Sequence, residues 1–149
     1  MQRVTSESVF QGHPDKVCDQ ISDAILDGLL EQDKESRVAV ETAIKDNLVF
    51  IFGEVTTTAS LNYKAIAKTV LKDIGYDEDF VVIEQISKQS PDIALGVNKT
   101  ENKEQGAGDQ GIMFGYACNE TQEFMPLPIM LAHEIPKEID RVRKEQYSH

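Results

Sequence analysis

Cationic side chains are scarce in this sequence: 15 Lys and Arg stand against 26 Asp and Glu in 149 residues, a net charge of −11. Nucleic-acid binding needs a basic face, so this balance excludes that class of partner. Long apolar runs are also missing, and none approaches the ~20 residues of a membrane helix. The opening Met1-Gln2-Arg3-Val4-Thr5-Ser6-Glu7 has no apolar export signal, which points to a cytoplasmic protein. Cysteine is limited to Cys18 and Cys118, far apart and without metal-ligand spacing. Both read as small buried hydrophobes in a reducing compartment. No internal repeat, low-complexity tract or flexible linker is visible. What remains is a hydrophobic content of 40%, ordinary for a globular protein, and a length suited to one domain with a core plus part of another.

The apolar pattern defines the elements. Val17, Ile21, Ile25 and Leu29 recur every four residues, which predicts a helix from Pro14 to near Asp33. Val38 to Ile44 alternates as a strand, Leu48 to Val55 reads as a second, and Asp46-Asn47 suits the hairpin turn between them. Ile66, Val70 and Ile74 mark a second helix, with Asn62 as its cap and Gly75 as its stop. Phe80 to Ile86 and Ile112 to Cys118 read as third and fourth strands. Pro128 to about Gln146 reads as a helix that Pro136 should kink. This order predicts a two-layer α+β domain with helices packed on one face of a mainly antiparallel sheet.

Gly12-His13-Pro14-Asp15-Lys16 places a histidine, a carboxylate and an ammonium at the mouth of the first helix. Pro14 suits the first helical position, because its missing N–H would be unpaired there anyway. Free N–H groups and a partial positive charge make a helix start a natural phosphate site. His13 could add a proton or hydrogen bond, and Asp15 could hold a divalent cation that screens phosphate oxygens. An ordinary helix cap fits the same five residues equally well. Residues 14–33 carry six acids against the single base Lys16, so a polyphosphate there would need cations or basic groups from elsewhere.

The hairpin yields a second site. With a two-residue turn, Glu41 lies opposite Phe52 and Ala39 opposite Glu54, which puts both glutamates on one face as diagonal neighbours. Ala39, Ala43, Leu48, Phe50 and Phe52 share that face, too apolar a set to be left in water. Two carboxylates roughly 7 Å apart on such a face repel unless a cation lies between them. A one-residue slip of register would separate them.

From Ser87 to Gly111 no periodicity is visible, and Gly96, Gly106, Gly108 and Gly111 lie in the stretch. Its closing run, Gly106-Ala107-Gly108-Asp109-Gln110-Gly111, lacks the ending of a Walker loop. The glycines would admit a ligand close to the backbone, with Asp109 as a fixed acceptor. A surface loop without function fits equally well.

In order and spacing these segments resemble the S-adenosylmethionine synthetase (methionine adenosyltransferase) family. The resemblance runs through Thr5-Ser6-Glu7-Ser8, Gly12-His13-Pro14-Asp15-Lys16 and Asp19-Gln20-Ile21-Ser22-Asp23. It continues through Gly53-Glu54-Val55-Thr56-Thr57, Lys88-Gln89-Ser90-Pro91-Asp92-Ile93 and Glu104-Gln105-Gly106-Ala107-Gly108-Asp109-Gln110-Gly111. Met113-Phe114-Gly115-Tyr116-Ala117, Met125-Pro126-Leu127-Pro128 and Ala132-His133 follow, so nearly the whole chain is covered.

The resemblance implies attack of methionine sulfur on the 5′ carbon of ATP, then cleavage of the released triphosphate to pyrophosphate and phosphate. It implies that His13 is the catalytic residue, stabilising charge beside the triphosphate, and that His13, Lys16 and Asp109 contact ATP. Asp15 would bind magnesium (Mg2+) and Glu41 potassium (K+). Glu54 and Gln89 would contact methionine, with Glu54 meeting its ammonium. Gln89-Ser90-Pro91-Asp92-Ile93-Ala94-Leu95-Gly96-Val97-Asn98-Lys99 would form the active-site loop. Residues 1–103 would form an N-terminal α+β domain including the start of that loop, and 104–149 the beginning of a truncated second one. A homodimer or dimer of dimers is implied at full length, with no nucleic acid and no membrane as partner.

Family members are longer, with three similar domains. The central-domain aspartate and lysine, the later glycine-rich phosphate loop and the basic residues that hold triphosphate have no counterpart here, which fits the acidic balance. Pro136 also departs from the family's helix. Two expectations follow: the chain is an N-terminal portion of a synthetase, or it is a catalytically incompetent short form that binds a synthetase subunit or another protein.

Overall fold

A computed structural model of the protein describes residues 3–89 and 111–147. The chain forms two compact units: Val17–Ile112, and Met1–Lys16 together with Met113–His149.

In the first unit, α1 (Pro14–Gln32, its first turn counted with the other unit) presents Val17, Ile21, Ile25 and Leu29 as a fully buried stripe. The strands β1 (Arg37–Lys45) and β2 (Leu48–Thr56) pair antiparallel, and Lys45 opposite Leu48 closes the expected two-residue turn at Asp46-Asn47. Asp46 takes the positive φ of 52° that tight turns demand. A second helix, α2 (Tyr63–Ile74), carries the chain over to β3 (Val81–Ser87), which joins β2 in parallel. A helix between two strands returns the chain to the end from which it started, so the second pairing is parallel. The sheet order is β1-β2-β3. It is therefore a mixed sheet whose longer pairing is antiparallel, within the expected α+β class.

Both ends of α2 match the cap chemistry of the sequence. Asn62 accepts the Ala65 N–H on its side-chain oxygen at 3.0 Å. Gly75 sits at φ 110°, and Tyr76 N–H reaches back to the Leu71 carbonyl at 3.0 Å, closing the turn that ends the helix. Ala67, Leu71 and Ile74 of α2 join Val49, Ile51 and Val55 of β2, with Phe80 and Val82, in a core that also holds the α1 stripe. The other face of the sheet takes no part in this core.

The second unit holds the N-terminal segment and α3 (Leu127–Tyr147). Gln11 N–H donates to the Asp140 carboxylate at 3.1 Å, and Lys144 donates to the Gln11 side-chain oxygen at 3.0 Å. Ser8 and His133 share a hydrogen bond of 3.0 Å. The helix assignment continues through Pro136. Surface pairs of Arg141 with Glu138 and Glu145 lie along it. Among the described residues of this unit none is buried.

One expected strand is absent. Residues 111–118 carry no regular structure, and Met113 and Phe114 are 91% and 89% exposed. A strand exists only where a neighbour satisfies its backbone groups. No described strand pairs with this segment, and Cys118 N–H instead donates to the Phe124 carbonyl at 2.9 Å.

Candidate functional site

The mouth of α1 is built by its own residues. His13 N–H donates to the Phe10 carbonyl at 2.9 Å, turning the chain just before Pro14. The His13 ring then caps the helix: its Nδ1 accepts the backbone N–H of Asp15 at 3.2 Å. With Nδ1 accepting in this cap, Nε2 is the ring nitrogen that carries an N–H and can donate. Cap and functional readings of His13 are thus compatible, since they use different nitrogens. Asp15 lies in the first turn, where the helix dipole favours a negative charge, and His13, Asp15 and Lys16 are all exposed.

Among the described residues no group of three or more His, Cys, Asp or Glu side chains could hold a metal. Asp15 at the helix start therefore belongs to no group of three such ligands. That donor set suits magnesium arriving with phosphate oxygens and waters rather than a metal caged by protein alone.

The hairpin register is the expected one, with Glu41 opposite Phe52 and Ala39 opposite Glu54. Glu41 is exposed and Glu54 half-buried. Around them Phe50 and Phe52 stack with ring centroids 5.0 Å apart. Parallel pairing of β3 adds Ile83 beside Phe50 and Gln85 beside Phe52. Val81 and Ile83 are 55% and 48% exposed, so within one chain this apolar face is open.

Gln89 lies two residues beyond Ser87, the β3 partner of Glu54. The topology therefore brings Gln89 and Glu54, both expected at methionine, to one end of the sheet. The sequence reading missed two residues at that end. Arg37, first residue of β1, donates its Nε–H to the Gln89 side-chain oxygen at 3.1 Å. Asp33, read only as the end of α1, is a fastening point for the segment after β2. Its carboxylate accepts from Thr58 N–H at 2.8 Å, Thr58 Oγ1 at 2.9 Å, Thr57 Oγ1 at 3.2 Å and Glu35 N–H at 3.0 Å. These donors, the Thr58 N–H foremost, hold its carboxyl below the usual carboxylate range. Ser36, itself buried, shares a 2.6 Å bond with Thr57. A sequence signal existed: the Thr56-Thr57-Thr58 run supplies three hydroxyls just after Glu54. Asp109 and the loop positions Ser90 to Lys99 lie outside the described residues.

Fold and site define an α+β protein with a histidine-capped helix mouth and two carboxylates on one apolar face of its sheet. The chain belongs to the S-adenosylmethionine synthetase family: residues 2–92 match the family's N-terminal domain and residues 104–149 its central domain. It is similar to the S-adenosylmethionine synthase of Trichormus variabilis, 55% identical over 158 residues, and to that of Sorangium cellulosum, 51% identical over 152. The synthase of Prochlorococcus marinus (strain MIT 9515) is 49% identical over 156 residues. These matches cover 94–95% of this chain but only 36–38% of the relatives. The chain thus spans little more than a third of the length of the curated relatives it matches. Among the described residues no helix is long and apolar enough to cross a membrane.

Proposed function

We propose that this chain supplies part of an enzyme making S-adenosylmethionine from ATP and L-methionine, releasing phosphate and pyrophosphate. The observation that carries the reading is the division of labour at His13, whose Nδ1 serves the helix while Nε2–H remains to donate. When methionine sulfur attacks the 5′ carbon of ATP, negative charge develops on the departing 5′ oxygen. A fixed N–H donor there stabilises the transition state more than the ground state. Lys16 and Asp109 would complete the contacts to ATP. Asp15 would hold magnesium against the phosphates, where the metal neutralises charge that this acidic chain cannot. Glu41 would hold potassium, a cation that relieves its repulsion with Glu54. Glu54 would take the ammonium of methionine, and Gln89 would contact the same substrate. The stretch from Gln89 to Lys99 would act as the active-site loop, limiting water. The first domain would end near residue 103.

We also place a second copy of the protein over the Glu41/Glu54 face, giving a homodimer or dimer of dimers in the cytoplasm. The apolar surface around the two carboxylates supports this reading. Glu54→Gln in the complete enzyme tests the substrate assignment. The methionine KM should rise about tenfold or more, as expected when a charge-assisted hydrogen bond is lost, while the ATP KM stays put. An unchanged methionine KM would overturn it.

A further inference from the structure

Arginine has only donors, so the atom of Gln89 that meets the Arg37 Nε–H at 3.1 Å must be the amide oxygen. The Gln89 amide is thereby turned so that its NH2 is the group left to meet a ligand. Without such a partner, a glutamine side chain rotates about its last torsion between two broad wells and presents oxygen or nitrogen alike. Both side chains are half-buried. Arg37 pairs with Thr56 across the hairpin, one step along the same face from the Ala39–Glu54 pair. This end of the sheet therefore combines a carboxylate, which accepts from an ammonium, with an amide oriented to donate to a carboxylate. An α-amino acid zwitterion has that pair of needs.

We infer that Arg37 is a positioning residue for the amino-acid substrate, acting through Gln89 by holding its amide NH2 toward the substrate carboxylate. The inference rests on the assignment of Gln89 to methionine made above. A Gln89 amide free to flip would present its oxygen to the carboxylate part of the time, weakening the ground state and transition state alike. The loss should fall on the methionine KM and leave kcat unchanged.

The test is steady-state kinetics on the complete synthetase carrying these residues, with methionine and ATP varied separately and a thermal melt for each variant. Arg37→Met keeps the aliphatic stem and removes the donor. It should raise the methionine KM about tenfold, on the scale of one hydrogen bond to a charged group, with the ATP KM unmoved. Gln89→Ala should do at least as much, and the double variant should be no worse than Gln89→Ala alone, because Arg37 has nothing left to act through. Arg37→Lys, which retains a donor, should recover part of the loss. Additive effects in the double variant would overturn the inference, as would an unchanged methionine KM in Arg37→Met beside a raised one in Gln89→Ala. An unchanged methionine KM in Gln89→Ala would instead overturn the assignment of Gln89 itself. If Arg37→Met does not fold, Arg37→Lys carries the test: a rise of about threefold confined to methionine supports the inference, and none overturns it.

Discussion

The backbone of Gly53 passes so close to Ala39 that a Cβ added to Gly53 would stand 2.0 Å from the Ala39 carbonyl oxygen. Gly53 also holds φ at 136°, where side chains are strained. The residue beside it is Glu54, opposite Ala39 in the ladder. Gly53→Ala should therefore push β1 from β2 where the two carboxylates are set, costing about 2 kcal/mol or more. Chemical denaturation of the two proteins measures this directly. A loss below about 0.5 kcal/mol, the level of an ordinary surface change, would mean that the strands can separate there freely.

His13 offers a cleaner separation of roles. His13→Ala removes both the cap and the Nε2–H donor, whereas His13→Asn removes the ring but retains a good helix cap. In a complete enzyme carrying these residues, both variants should lose about 10² or more in kcat, with smaller effects on the methionine KM. Only the alanine variant should also lose about 1 kcal/mol of stability. If His13→Asn retained full kcat, the histidine would be a cap and nothing more.

Much of this architecture was legible because local chemistry and tertiary contact agree. Asn62 and Gly75 end α2 by their own cap geometry, and Asp46-Asn47 sets a register that places Glu41 and Glu54 together. Ile112 to Cys118 has strand-like residues yet forms no strand, because pairing is a property of two segments and no described strand pairs with it. Arg37 and Asp33 escaped notice for a related reason. Their partners, Gln89 and Thr58, are 52 and 25 positions away, and although the threonine run offered hydroxyls, no periodicity states which distant residue they meet. The parallel pairing of β3 was hidden in the same way, since an amphipathic helix pattern does not state which side of the sheet receives the next strand.

Asp33 predicts a pH dependence. Its carboxyl is depressed in the folded protein by the Thr58 and Glu35 N–H groups and the threonine hydroxyls, so the unfolded chain binds its proton at a higher pH than the fold does. The stabilisation is fully present above the ordinary aspartate pKa of about 4 and is lost as pH falls through the lower folded value. Asp33→Asn should thus melt lower than the parent near neutrality, and the gap should narrow as pH drops below about 4. Thermal melts at pH 7, 5, 4 and 3 read this out. A gap constant across the series would tie the loss to shape instead of charge.

Phe50→Asp probes the sheet face. Phe50 stacks on Phe52 beside the two carboxylates, on the side of the sheet opposite the core, and it is itself partly exposed within one chain. A partner seated there would bury the new carboxylate among apolar groups and beside Glu41 and Glu54, with nothing to pair it. Because the core of the same chain lies on the other face, the substitution should leave the fold of a single copy intact. The complete enzyme carrying it should therefore sediment as a folded monomer and lose activity together with association. Sedimentation showing an intact and fully active oligomer would remove the face from the interface and leave its apolar surface to be covered by some other means.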